Sequence, residues 1–366
     1  MPASWDVIIV GGGAIGAACA RELALTGRRV LVVDRGGDIG QAWRAAGGML
    51  APQIEADAGD TLLSLGLAAR DHYSGLAAAL RETTGIDVGL WREGISRVAV
   101  DQADAAAVQA KVEWQQRQGL QCEWLEAGEV HWRWPWIGPV LGALWAPLDG
   151  ALDPVRLVEA LLADATRLGA TLVTDRIRSL EITRGAVAGV SGENARYYAP
   201  TVVLAAGAWS AQVEGLPRRL PIQPVRGQMA ALRWPPEMKR AIVYQKDSYL
   251  LARGDEAVLG STMEYAGFQP EVTPSGMAQI FSATVTLCPA LVRGKVRRSW
   301  AGLRPVTSDS LPIIGPEPEL PGLWYATGHG RNGILLAGFT GSLVAGLVAG
   351  EPFTVDLSPL RPERFP

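Results

Sequence analysis

The sequence predicts an α/β fold, and three observations carry the prediction. Trp5 to Val10 ("WDVIIV") is an apolar run rich in β-branched residues, as a strand buried on both faces requires. Glycines, a stretch of helical periodicity closed by Gly27, and a second apolar run from Arg28 to Asp34 follow it. That is a β-α-β unit, and a right-handed crossover sets its strands side by side. Between Pro221 and Gly260 the pattern changes to short alternating runs, so strands dominate there without helices between them.

The remaining elements follow in order. Residues 35–53 ("RGGDIGQAWRAAGGMLAPQ") are glycine-rich and irregular, and Asp60 to Thr84 has helical spacing. Gly94 to Pro147 is mixed and holds a tryptophan cluster, Trp132 to Trp145. Asp153 before Pro154 is an N-cap followed by proline at the first helical position, opening a helix to about Leu168. Short strands end with Thr201 to Gly207, and Pro274 to Leu287 is helical. The last apolar stretch, Ile334 to Gly350, is interrupted by Gly, Thr and Ser and reads as a buried helix rather than a membrane span. There is no internal repeat and no low-complexity linker.

Composition narrows the function. With 366 residues, 48% hydrophobic and 19% charged, the chain has room for two packed domains and is unlike a disordered protein. A net charge of -3 gives no electrostatic basis for nucleic-acid binding. Cys19, Cys122 and Cys288 form no CxxC pair and are expected as buried free thiols in a reducing, cytoplasmic compartment. No basic segment precedes the first apolar run, so no signal peptide is expected. His72, His131 and His329 are the only histidines, which gives no metal-ligand cluster, and no nucleophile elbow is present.

Gly11, Gly13 and Gly16 form G-x-G-x-x-G between the first strand and helix. The first permits a tight turn, the second lets a pyrophosphate approach the backbone, and the third allows close helix–strand packing. The helix N-terminus then faces the phosphates with partial positive charge. Asp34, ending the second strand, can accept hydrogen bonds from ribose hydroxyls. An adenine dinucleotide is implied; the turn alone leaves NAD and FAD open.

The later motifs narrow that choice. "RAAGGMLAPQ", "DGALDP", "TVVLAAGAWS", "PVRGQM", "WAGLRPVTSDSLPIIG" and "GHGRNGILLA" occur in one order across almost the whole chain. Together they resemble the D-amino-acid oxidase superfamily of FAD enzymes, most closely the glycine oxidases. The resemblance implies a discontinuous Rossmann-like FAD-binding domain (1–85, 150–218 and 297–366). An antiparallel-sheet substrate domain (86–149 and 219–296) is inserted into it. It places FAD against Gly11, Gly13, Ala14, Ile15, Gly16, Asp34 and Arg35, and against Ala42, Trp43, Ala46, Gly47, Gly48 and Met49; because no cysteine lies in "RPVTSDSLPIIG", where covalently flavinylated relatives attach it, FAD is expected to be noncovalent. Ile177, expected to end a short strand, Ala206 and Gly207 complete the adenine side. His329, Gly330, Arg331, Asn332, Gly333, Ile334 and Leu335 then bring the last helix N-terminus to the flavin.

For substrate, the resemblance points to Arg304 as carboxylate anchor, with Arg331, Tyr244, Tyr249, Met49 and Met263 around it. A planar guanidinium suits a carboxylate because it binds both oxygens and stays charged. The implied reaction is hydride transfer from the α-carbon of glycine, sarcosine or a small D-amino acid to flavin N5, with no side-chain base. The imine hydrolyses and oxygen takes the electrons as hydrogen peroxide; supply of an imine for thiamin thiazole synthesis is a fitting role. A quinone-linked dehydrogenase and a non-catalytic flavin scaffold are the alternatives. Three positions depart from the family pattern: Gly330 replaces an aromatic, Ser310 a glycine, and Asp247 a frequent histidine. The tryptophan segment is expected as buried filler, a homo-oligomer interface or lid being the other options.

Overall fold

The apolar runs pair as their composition demands. In the computed structural model, which describes residues 5–37, 39–246, 248–351 and 356–365, strand Val7–Val10 lies between Val30–Asp34 and Thr201–Leu204, parallel to both. Thr171–Thr174 extends this sheet on one side, and Leu323–Thr327 and Ile313–Pro316 extend it on the other. Only the last strand runs antiparallel. Val7, Ile8, Ile9 and Val10 are all buried, as a central parallel strand covered on both faces must be.

Helix Ala14–Leu25 crosses one face and meets Gly333–Ala349 closely. A Cβ on Gly341 would sit 2.7 Å from the backbone of Ala18, so glycine there lets the two helices touch. Residues 330–349 are the one described stretch long and apolar enough to cross a bilayer, and here they pack into this core.

An eight-stranded sheet forms the second layer. It takes Ile95–Ala99, Glu123–Glu126 and Gly142–Ala146 from the first inserted segment. The later chain adds Ile222–Arg233, Ile242–Gln245, Ser248–Arg253, Glu256–Gly260 and Val296–Thr307. All neighbours are antiparallel except Ile242–Gln245 beside Ile95–Ala99. Val296–Thr307, grouped above with residues 297–366, therefore belongs by its hydrogen bonds to this sheet.

Local signals hold well. Asp153 accepts from Val155 N and Arg156 N at 2.9 and 3.2 Å and caps helix Pro154–Arg167, and the helix expected at Pro274 to Leu287 has those bounds. Ile177 opens strand Ile177–Thr183 instead of ending one, because Thr171–Thr174 stops where it leaves the parallel sheet. Trp134 and Trp136 are buried in the core of the second layer and Trp145 packs on Trp134, whereas Trp132 is exposed. Cys19 and Cys288 are buried; Cys122 is only partly so, a departure from the expected set of three. Asp247 lies outside the described residues.

Candidate active site

The carboxyl ends of the parallel strands and one face of the eight-stranded sheet enclose a cavity of about 1140 Å³. This exceeds the ~300–1,000 Å³ usual for a small-molecule pocket and leaves room for a dinucleotide plus a small substrate. Every residue expected at the site lines it except Gly16. Gly16 acts by packing: a Cβ there would lie 1.8 Å from Gly11 O.

One end is built from backbone. Gly11 has φ +104°, and a Cβ on it would stand 2.5 Å from Ala205 O. Gly13 is the N-cap of Ala14–Leu25 and supplies no side-chain cap, so the first N–H groups of that helix remain for a ligand. The Asp34 carboxylate accepts from Gly12 N at 2.7 Å and Gly36 N at 2.8 Å, which fixes the turn; each oxygen keeps a further lone pair for a hydroxyl. Trp43 borders Gly13, Arg35 stacks 3.6 Å above the Trp209 ring, and Ile177, Ala206 and Gly207 line the same end.

The middle is also bare main chain. Gly48 has φ +79°, with Leu152 O 2.1 Å from where its Cβ would be, and a Gly47 Cβ would lie 2.6 Å from the Tyr249 hydroxyl oxygen. Ala42, Ala46 and Met49 flank them, and Met49 pairs with Ala151 in a short ribbon. Opposite, His329 to Leu335 lead into helix Gly333–Ala349, whose N-cap Asn332 again offers no side-chain cap. Burial pushes the His329 pKa down to about 3, and its Nε2 lies 3.2 Å from Thr340 Oγ1, so the ring is neutral near pH 7. Two uncapped helix N-termini, stretches of bare backbone and one carboxylate form a donor and acceptor set that fits FAD.

The far end is built from side chains. Arg304, in strand Val296–Thr307, donates to Thr262 O at 3.1 Å and Ser261 Oγ at 2.8 Å. Among the described residues no carboxylate pairs with it, and burial lowers its pKa without discharging it. Tyr244 and Tyr249 are buried with ring centroids 5.5 Å apart. Burial raises both phenols, Tyr249 to about 12, so both stay protonated. Met49 and the exposed Met263 line the wall.

Glu55 was missed in the sequence. It accepts from the Tyr244 hydroxyl at 2.9 Å and from Arg331 Nε at 2.8 Å, joining two expected site residues. Pro52 at the first position of helix Pro52–Glu55 hinted at the turn, but nothing local marked its last residue. Ser261 and Thr262 were missed for the same reason, and Trp209, although inside "TVVLAAGAWS", was given no role.

Comparison with known proteins agrees with this geometry. Residues 6–347 match the DAO family model, FAD dependent oxidoreductase. The chain is 34% identical to glycine oxidase of Geobacillus kaustophilus over 362 residues, covering 97% of this chain and 96% of that one. The crystal structure of glycine oxidase from that organism superposes with a TM-score of 0.93 at 33% identity, covering 98% of each chain. The bifunctional protein ThiO/ThiG of Nostoc sp. is 36% identical over 354 residues; these are 94% of this chain but 53% of that protein, so the chain spans about half its length. Iminodiacetate oxidase from Chelativorans sp. matches with a TM-score of 0.90 at 30% identity, covering 97% and 98%. The chain belongs to the DAO family of FAD-dependent oxidoreductases.

Proposed function

We propose that this enzyme oxidises glycine, sarcosine or a small D-amino acid to the imine, which hydrolyses to the 2-oxo acid, with oxygen reduced to hydrogen peroxide. The observation that carries the reading is Arg304: a partly buried guanidinium facing the cavity, with no carboxylate paired to it among the described residues. The kinship to glycine oxidase and to a ThiO/ThiG protein supports the substrate class and a role in thiamin thiazole synthesis.

FAD, when bound, supplies the hydride acceptor. The chain does the positioning. Arg304 takes the substrate carboxylate. The Tyr249 hydroxyl donates to the Met229 sulfur at 3.2 Å, a weak acceptor that a substrate oxygen can replace, and it also meets the Ser261 side chain. Tyr244 donates to Glu55 and serves as wall and brace. With both phenols held protonated and His329 neutral and held by Thr340, none of these three takes up a proton, and the amine enters in its neutral form.

Among the described residues none of the three cysteines lines the cavity, which supports noncovalent FAD. Residues 1–85 and 150–218, with the chain after Thr307, are then the cofactor-binding segments. Residues 86–149 and 219–296 form the substrate layer, to which strand Val296–Thr307 is best added.

The test is direct. Purified protein should be yellow, lose its colour to the supernatant on acid precipitation, and release peroxide with glycine, sarcosine or D-alanine. Bleaching under nitrogen without peroxide in air would replace the oxidase reading with a dehydrogenase one. A colourless protein that FAD cannot reconstitute would end both.

A further inference from the structure

Glu55 reaches the cavity from a single helical turn, Pro52–Glu55, too short to hold its own shape. A buried polar network holds it. Asp149, 0% exposed, accepts through Oδ2 from Gln53 N and Ile54 N, both at 3.0 Å, and through Oδ1 from Arg70 Nη1 at 3.0 Å. Arg70 Nη1 also donates to Gln53 Oε1 at 2.8 Å. Gln53 Nε2 donates to Gln115 Oε1 and Gln121 O at 3.2 and 3.0 Å, and Gln115 Nε2 donates back to Gln53 O at 2.6 Å. Lys111 Nζ donates to Ile54 O at 3.0 Å from the other side.

Taking an aspartate and an arginine out of water costs several kcal/mol per ion, and apolar packing of the same volume is often at least as stabilising. What this network gives that apolar packing cannot is direction. It fixes the backbone N–H and carbonyl of both Gln53 and Ile54, the two central residues of the turn that carries Glu55. The Glu55 carboxylate in turn orients Tyr244 and Arg331.

We propose that Asp149 is a positioning residue: it holds the turn Pro52–Glu55 so that Glu55 meets Tyr244 and Arg331 in one geometry, and so sets substrate affinity. The inference rests on the reading that Tyr244, Arg331 and Arg304 surround the substrate.

The test is a double-mutant cycle on the FAD-loaded enzyme with Asp149→Asn, Glu55→Gln and both together. Four quantities are read: KM and kcat for glycine, the Kd of glycolate (the hydroxy analogue of glycine) from flavin absorbance, and Tm. Glu55→Gln should raise KM and the glycolate Kd about tenfold, and Asp149→Asn about fivefold, with kcat within about twofold. In the double variant the Asp149 change should add less than about twofold to KM yet keep its whole effect on Tm. Additive KM effects, or a lowered Tm with KM unchanged, would reduce Asp149 to a structural residue and overturn the proposal. Glu55→Gln with wild-type KM and Kd would instead remove the site reading beneath it, and the proposal with it. Should Asp149→Asn fail to fold, Gln115→Met breaks the bonds to Gln53 from the other side and enters the same cycle under the same criteria.

Discussion

The two ends of the cavity are made of different material. From the end assigned to the dinucleotide through the middle, the cavity is lined largely by main chain, at Gly11, Gly13, Gly48 and two helix N-termini without side-chain caps, with Asp34 as the one carboxylate facing the proposed ribose. At the substrate end the lining is side chains brought from distant segments: Arg304, Tyr244, Tyr249, Glu55 and Arg331. Backbone sites tolerate no added atoms, because there is nothing to repack. Side-chain sites tolerate substitution in shape but fail in charge. The first end should lose binding when a methyl is added, the second when a charge is removed.

The largest effect that would break this contrast belongs to Gly11→Val. Its φ of +104° and the 2.5 Å approach to Ala205 O leave no room, so FAD affinity should fall about a thousandfold, near 4 kcal/mol. Titration of apoprotein with FAD measures it, and wild-type affinity would refute a backbone-built site. Next is Arg304→Met, which should raise KM for a carboxylate substrate about a hundredfold while FAD still binds normally. Unchanged KM would remove the anchor assignment.

Gly330 sharpens the comparison because it stands between the two ends. Only Val306 Cγ2, at 4.0 Å, comes near the place of a Cβ there. Gly330→Tyr should lower kcat/KM for bulky N-substituted glycines about tenfold more than for glycine itself. Equal losses would show that this opening does not set substrate size.

The smallest effect, taken over a single pH unit, is on acid stability. His329 is held near pKa 3 in the fold and returns to about 6.5 on unfolding, so between these values only the unfolded chain binds the proton. The stabilisation is complete above about pH 6.5 and is lost as pH falls toward 3, by at most about 1.4 kcal/mol per pH unit. His72, also lowered by burial, contributes with the same sign. His329→Gln should therefore show a flatter dependence of Tm on pH below about 6.5. Coincident slopes for variant and wild type would show that His329 is not buried in its neutral form.

The same contrast explains what could be read in advance. Gly11, Gly13 and Gly16 sit at fixed spacing between one strand and the helix that follows it, and the Asp153 cap acts within three residues, so spacing alone revealed them even though Gly11 packs on the distant Ala205. The partners of Glu55 are 189 and 276 residues away, and those of Arg304 are 42 and 43. Such contacts are decided by strand order, which no local pattern encodes. Arg304, Tyr249 and Arg331 were found only through whole-chain resemblance. Glu55, Ser261 and Thr262 were in no quoted motif and stayed hidden. Ile177 was placed at the wrong end of a strand because a change of sheet leaves no mark on local hydrophobicity.

Strand order has a further cost during synthesis. Val7–Val10 gains Val30–Asp34 almost as soon as both leave the ribosome, but its other neighbour, Thr201–Leu204, is translated far later, and Leu323–Thr327 later still. A nascent chain paused in between exposes an unpaired apolar strand edge, an invitation to aggregate that lasts until the remaining strands arrive.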